Sequence, residues 1–272
     1  MARNSSTGSR VWKVILSLLV ALLVLLLLTE LGLRWFIAGQ IRDGFHQETQ
    51  EQGVTSPEDP EVTFGATPLV VGLVQGRLPQ VSITAPATFQ ITGTEVRGTP
   101  AAHVRIEDLR LSQDNPVAGT LSTTTELPDA YLLAVVKQQI NQQSFDGIIG
   151  DFLGDNLVTG VQADPAAGAI NVEFGQGIGS MSLIPEMTEG QLFFRVGQTQ
   201  LFGFDLPAEV SEGITYALQE GIQIGVSGEV ASDGTLTVEE FSVIEGGVRA
   251  TVSGTNIPLQ DISVSGGALP AR

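Results

Sequence analysis

Residues 11–28 read VWKVILSLLVALLVLLLL, and this run constrains the chain more than any other feature because it decides which solvent the neighbouring residues meet. Of the fifteen residues Val14 to Leu28, thirteen are Leu, Ile or Val and none is charged. At roughly 0.3 to 0.6 kcal/mol for each, transfer of these side chains into a bilayer is favoured by about 4 to 8 kcal/mol. Two readings compete: a secretory signal, since Arg3, Arg10 and Lys13 precede the run, or a retained anchor. A cut after Ala38 would leave Phe36 where a small side chain is required, so the anchor is the expectation. Trp12 and Trp35 fit it, because 23 residues of helix separate them by ~34 Å and tryptophan favours the headgroup belts. The basic flank is expected on the cytoplasmic side and the rest of the chain outside. A single span leaves no room for a channel or transporter.

The charge beyond the span is one-sided. Residues 43–272 hold 29 acidic and 8 basic side chains, a surface that repels nucleic-acid backbones. With no cysteine, disulfides, thiolate metal ligands and thiol nucleophiles are excluded. Abundant glycine, few aromatics and many Val, Ile and Thr residues point to curved sheet with frequent turns.

After the run, Leu31, Trp35, Ala38, Ile41 and Phe45 recur at helical spacing. This is either a short interfacial helix or one packed on the domain. Gln47 to Glu61 is polar and turn-rich and reads as a tether. Strand alternation then begins: Val81, Ile83 and Ala85; Phe89 and Ile91; Val104 and Ile106. Arg97-Gly98-Thr99-Pro100 is expected to close a hairpin between the last two of these strands. Pro128 to Gln143 predicts a helix with a broad apolar face of Leu132, Leu133, Val135, Val136 and Ile140. Alternation resumes at Ile170–Phe174, Leu192–Val196, Leu236–Val238 and Val248–Val252, with a further helix expected over 207–220. Sheet with a few apolar helices in no regular alternation argues for an α+β class.

Chemistry is sparse. His46 and His103 lack metal-ligand neighbours, so no metal site and no cofactor is expected. Gly175-Gln176-Gly177-Ile178-Gly179-Ser180 departs from the dinucleotide-binding spacing and is followed by strand-like residues. Asp151 and Asp155 share a helical face, but acidic pairs arise by chance in so acidic a chain, so no catalytic set is assigned. The basic side chains are more informative, because Arg77, Arg97, Arg105 and Arg110 fall within 34 positions. Either they pair with Glu95, Glu107 and Asp108 on a solvated face, or they contact phosphate, which guanidinium suits by its bidentate geometry.

Gly65-Ala66-Thr67-Pro68-Leu69, then Leu73-Val74-Gln75-Gly76-Arg77-Leu78 and the strand from Val81 to Ile83, resemble the LmeA-like family of actinobacterial phospholipid-binding proteins. The resemblance spans about residues 12–260, although Leu69 replaces the aromatic usual after the proline. It implies an extracytoplasmic, periplasm-facing cell-envelope protein that binds phospholipid, with links to the assembly of mannose-bearing envelope glycolipids and to the proteins that make them. It also implies a curved antiparallel sheet wrapping one or two long apolar helices, as in tubular lipid-binding domains.

On this reading the chain divides into a cytoplasmic tail (1–10), an anchor (11–30), a juxtamembrane helix and tether (31–60) and a lipid-binding domain (61–265). Acyl chains are expected between Val81, Ile83, Phe89, Ile91, Val104 and Ile106 on the sheet and Leu132, Val136 and Ile140 on the helix, with Arg77, Arg97, Arg105 and Arg110 as headgroup candidates. An envelope enzyme acting on lipid-linked sugar and a scaffold without bound lipid are the alternatives.

Overall fold

The computed structural model describes residues 7–93, 95–112, 115–142, 158–188, 191–205, 229–230 and 234–259. The apolar run is part of one helix, α1 (Thr7–Glu51), whose 45 residues extend ~67 Å. Gly32, Gly39 and Gly44 do not interrupt it, and the segment from Leu16 is long and apolar enough to cross a membrane. Its second half packs on the domain: Leu33, Ile37 and Ile41 join the core and Ala38 is buried, whereas Leu31 and Trp35 stay exposed. The packing stripe therefore lies to one side of the one read from spacing alone. Residues 52–60, read as a tether, turn back along α1. Val54 and Pro60 are buried, and the Arg42 guanidinium reaches the Pro60 carbonyl.

A seven-stranded antiparallel sheet follows, built from β1 (Glu61–Phe64), β2 (Arg77–Ala85), β5 (Ala102–Arg110), β6 (Val117–Pro128), β14 (Gly247–Pro258), β13 (Gly234–Ile244) and β12 (Glu229–Val230), in that spatial order. A short helix, α2 (Leu69–Val74), connects β1 to β2. The second sheet, also antiparallel, runs β11 (Phe204–Asp205), β10 (Gln191–Leu201), β9 (Gly179–Thr188), β8 (Ala169–Phe174), β7 (Val158–Asp164). The glycine-rich stretch is the β8–β9 turn, with Gly175, Gln176 and Gly177 all at positive φ. The two sheets meet where Phe194 of β10 packs edge-on against Phe241 of β13.

The expected hairpin across Arg97–Pro100 is corrected. Gly93 at φ +64 turns the chain earlier, so β3 (Gln90–Thr92) pairs with β4 (Glu95–Arg97), and β5 pairs instead with β2 and β6. Gly98 serves a different purpose: a Cβ there would lie 2.6 Å from the Thr88 carbonyl, so only glycine permits the close approach. The helix predicted from Pro128 is α3 (Asp129–Gln142). Its first residue holds the second sheet, since the Ala163 N–H of β7 donates to the Asp129 carboxylate at 3.0 Å. The helical expectation over 207–220, and the pair Asp151 and Asp155, lie outside the described residues.

The large sheet owes its curvature to a row of residues at one level across four strands. Pro79, Asp108, Gly119 and Asn256 each interrupt the paired positions around them. Asp108 and Asn256 take φ of 50° and 54°, a region that short polar side chains tolerate. Gly119 makes room, because a Cβ would stand 3.0 Å from that of Asp108. Beyond the row the alternation restarts out of phase. Leu78 and Val81, Leu109 and Ile106, Ala118 and Leu121 are each three apart, yet all enter one buried cluster with Leu69 and Ile257. A strand that rolls over in this way bends. The bend carries the sheet over α2 and the second half of α1, an α+β architecture with a curved antiparallel sheet.

Candidate functional site

Register fixes which side chains share a face. On the outer face stand Gln80, Ser82, Thr84, His103, Arg105, Ser122, Thr124, Glu126, Arg249 and Thr251, a polar face on which Ser82 is buried and the others are wholly or partly exposed. The inner face carries three rows that cross the strands. The first, Phe64–Val81–Ile106–Leu121–Gly254–Leu236, lies under α1 and α2, and Val81, Ile106 and Leu121 are buried there. In the second row, Val62–Ile83–Val104–Thr123–Val252–Val238, only Val238 is buried and the rest remain partly open. The third, Ala85–Ala102–Thr125–Ala250–Phe241, is built from small side chains until it reaches the phenylalanine that joins the sheets. Across its five strands the third row measures roughly 19 Å, somewhat more than the ~15 Å of hydrocarbon in one leaflet.

A polar outer face is a solvent boundary. The second row is half-covered: Val62, Ile83 and Val104 pack against the edge of the core cluster and stay partly exposed. The side chains are large in the first row and small in the third. The α3 helix lies against β6, β14, β4 and β7, and its Tyr131 ring meets Phe89 edge-on at 5.3 Å. Burial pushes the Tyr131 phenol above its ordinary pKa, which keeps it neutral beside the apolar strip.

The residues singled out from the sequence are thus divided. Ile83 and Val104 face each other in the open row, whereas Val81 and Ile106 face each other in the closed one. Phe89 contacts α3 through Tyr131, while Ile91 pairs with Val96 in the β3–β4 hairpin and is exposed. Leu132 and Val136 are half-buried on α3, and the Ile140 side chain lies outside the described residues. Thr123, Val252 and the small-residue row went unread, although the Ala and Thr residues at alternating strand positions were the available signal.

The four arginines do not converge. Arg97 pairs with Glu95 in the hairpin, lowering the Glu95 pKa through their hydrogen bond, and Arg105 pairs with Glu107 on the outer face. Arg77 and Arg110 stand directly opposite each other at the α2 end. There Arg77 bonds Asp108 at 3.2 Å and Arg110 bonds Asn256. Neither pair reaches the open row. Among the described residues no group of His, Asp and Glu is arranged to hold a metal ion. His46 instead meets Asp59, and His103 meets Thr84.

Residues 28–253 match the family described as LmeA-like phospholipid-binding, and the second and third inner rows fall within the match. The chain belongs to that family. Comparison with curated proteins and with solved structures returned no match. In an LmeA-like chain, each CH₂ of a bound acyl chain that an apolar face buries contributes about 0.8 kcal/mol.

Proposed function

We propose that this chain is a membrane-anchored phospholipid-binding protein that holds or shuttles lipid in the cell envelope, its acyl chains lying on the second and third inner rows. One observation carries the reading: in a phospholipid-binding family, Ile83, Val104, Thr123 and Val252 form a continuous strip left partly open beside a row in which Val81, Ile106 and Leu121 are buried. The α1 helix is the anchor, with its basic flank in the cytoplasm and the sheets on the periplasmic side. No catalytic chemistry is needed for this role, and support of mannose-bearing glycolipid assembly is its place in the envelope. The arginines, paired or remote from the strip, leave apolar capture as the source of affinity.

Photocrosslinking tests this. The full chain is reconstituted with phosphatidylglycerol carrying a diazirine midway along one acyl chain, irradiated, and its labelled peptides are sequenced by mass spectrometry. Label on the peptides of Ile83, Val104, Thr123 and Val252 is expected, and Ala102→Trp should reduce it while the fold persists. Label confined to α1 refutes the lipid site. So does an Ala102→Trp variant that loses about 1 to 3 kcal/mol of stability with its crosslinks unchanged, the behaviour of ordinary packed core.

A further inference from the structure

We propose that the α2 end of the domain is itself a bilayer contact, with Val71, Val74 and Leu111 seated in the headgroup region and Arg77 and Arg110 at the level of the lipid phosphates. The proposal rests on the reading of α1 as a membrane span and adds a second, peripheral attachment to it.

Height comes first. The Glu30 carboxylate accepts hydrogen bonds from the Leu69 and Val70 N–H groups at 2.9 and 3.1 Å and from Arg34 at 2.7 Å, while Arg34 also donates to the Gly65 carbonyl. The first turn of α2 is thereby held level with residue 30, two residues and so ~3 Å of helix beyond the last leucine of the apolar run. At this height α1 exposes Leu31, Trp35 and Phe36.

The surface held there is apolar. Val74 is 86% exposed, Val71 48% and Leu111 42%, and the Leu111 N–H donates to the Gly76 carbonyl, which brings it beside the turn that follows α2. Such side chains cost little at a membrane interface, and Val74 is almost wholly uncovered. Charge agrees. Arg77 and Arg110 occupy directly paired positions; the Asp108 carboxylate pairs with Arg77, while Arg110 bonds the neutral Asn256 amide. A layer of phosphates would place an anion beside Arg110, which guanidinium binds bidentately. These cations sit at the one end of an acidic domain that the anchor carries to the bilayer surface. A lipid surface is therefore the occupant that height, apolarity and charge all fit.

The chain contains no cysteine, so single labels are clean reporters. Val74→Cys, Leu111→Cys, Leu22→Cys and Ala166→Cys variants of the full chain would each carry a nitrobenzoxadiazole fluorophore, in vesicles of equal parts phosphatidylcholine and phosphatidylglycerol. Leu22 reports the span, and Ala166, in the exposed β7–β8 turn beside the Asp129 contact, reports water. Labels at 74 and 111 should emit to the blue of the label at 166. They should also be quenched by headgroup-proximal nitroxide lipid and be shielded from aqueous iodide. If they behave like 166 while the label at 22 stays in lipid, the bilayer contact is wrong and the anchor stands. If the label at 22 also reads water, both fall.

Discussion

Replacing Glu30 removes the clasp between the apolar helix and the sheet domain, and the structure sets the size of the effect. Its carboxylate is 15% exposed and receives three donors. In Glu30→Ala the Leu69 amide, on a residue only 1% exposed, loses its acceptor where water cannot replace it, a cost of about 1 to 3 kcal/mol. The Val70 amide is less buried and can be rehydrated, which costs about 0.5 to 1.5 kcal/mol. Arg34 keeps its bond to Gly65. The total, about 1.5 to 4.5 kcal/mol, is a large share of a typical domain stability but leaves it folded. Glu30→Gln retains a carbonyl acceptor for one amide and should lose only about 1 kcal/mol. Urea titration of the full chain in micelles, followed by circular dichroism, measures both. Hydrogen exchange at Leu69 and Val70 should accelerate in the alanine variant before the strands are affected. The reasoning is refuted if alanine costs under about 0.5 kcal/mol, or if glutamine costs as much as alanine.

Two further perturbations probe the far side of the site and the bend. Tyr131→Ala forfeits an aromatic pair with Phe89 worth about 0.5 to 1.5 kcal/mol beyond its area, while Tyr131→Phe should be within about 0.5 kcal/mol of the parent in thermal unfolding. Because burial raises the Tyr131 pKa, the folded state keeps a proton that the unfolded state releases; stability should fall as pH rises past about 10, and Tyr131→Phe should flatten that part of the profile. Gly119→Val drives a side chain into Asp108 and should cost about 1 to 3 kcal/mol by denaturant titration, with near-wild-type stability counting against a bend built at that level.

Much of the architecture was legible without coordinates, for local reasons. Hydropathy alone identifies α1 as apolar, and alternation at Val81, Ile83, Val104 and Ile106 identifies one-faced strands, because a period of two reports burial on one side. Pro128 and Asp129 before an apolar stripe located α3 within a residue of its start. The hairpin at Gly93 was misread because two nearby glycine turns compete and their local chemistry does not say which strands pair.

The sequence by itself determined the long apolar N-terminal segment, the α+β class, the polar outer face and, through short motifs, the family, all of which depend on residues near one another in the chain. Tertiary structure decided which apolar side chains are covered. Val81 and Ile83 are alike in sequence terms, yet Val81 is buried in the core cluster and Ile83 is only half-buried at its edge, because coverage is set by where distant helices dock. Ala85, Ala102, Thr125 and Ala250 become one row only through the register of four strands. Glu30 meets Leu69 across 39 positions, and the bend at Asp108 and Asn256 needs matching interruptions in neighbouring strands. Such features depend on long-range pairing, which local pattern does not encode.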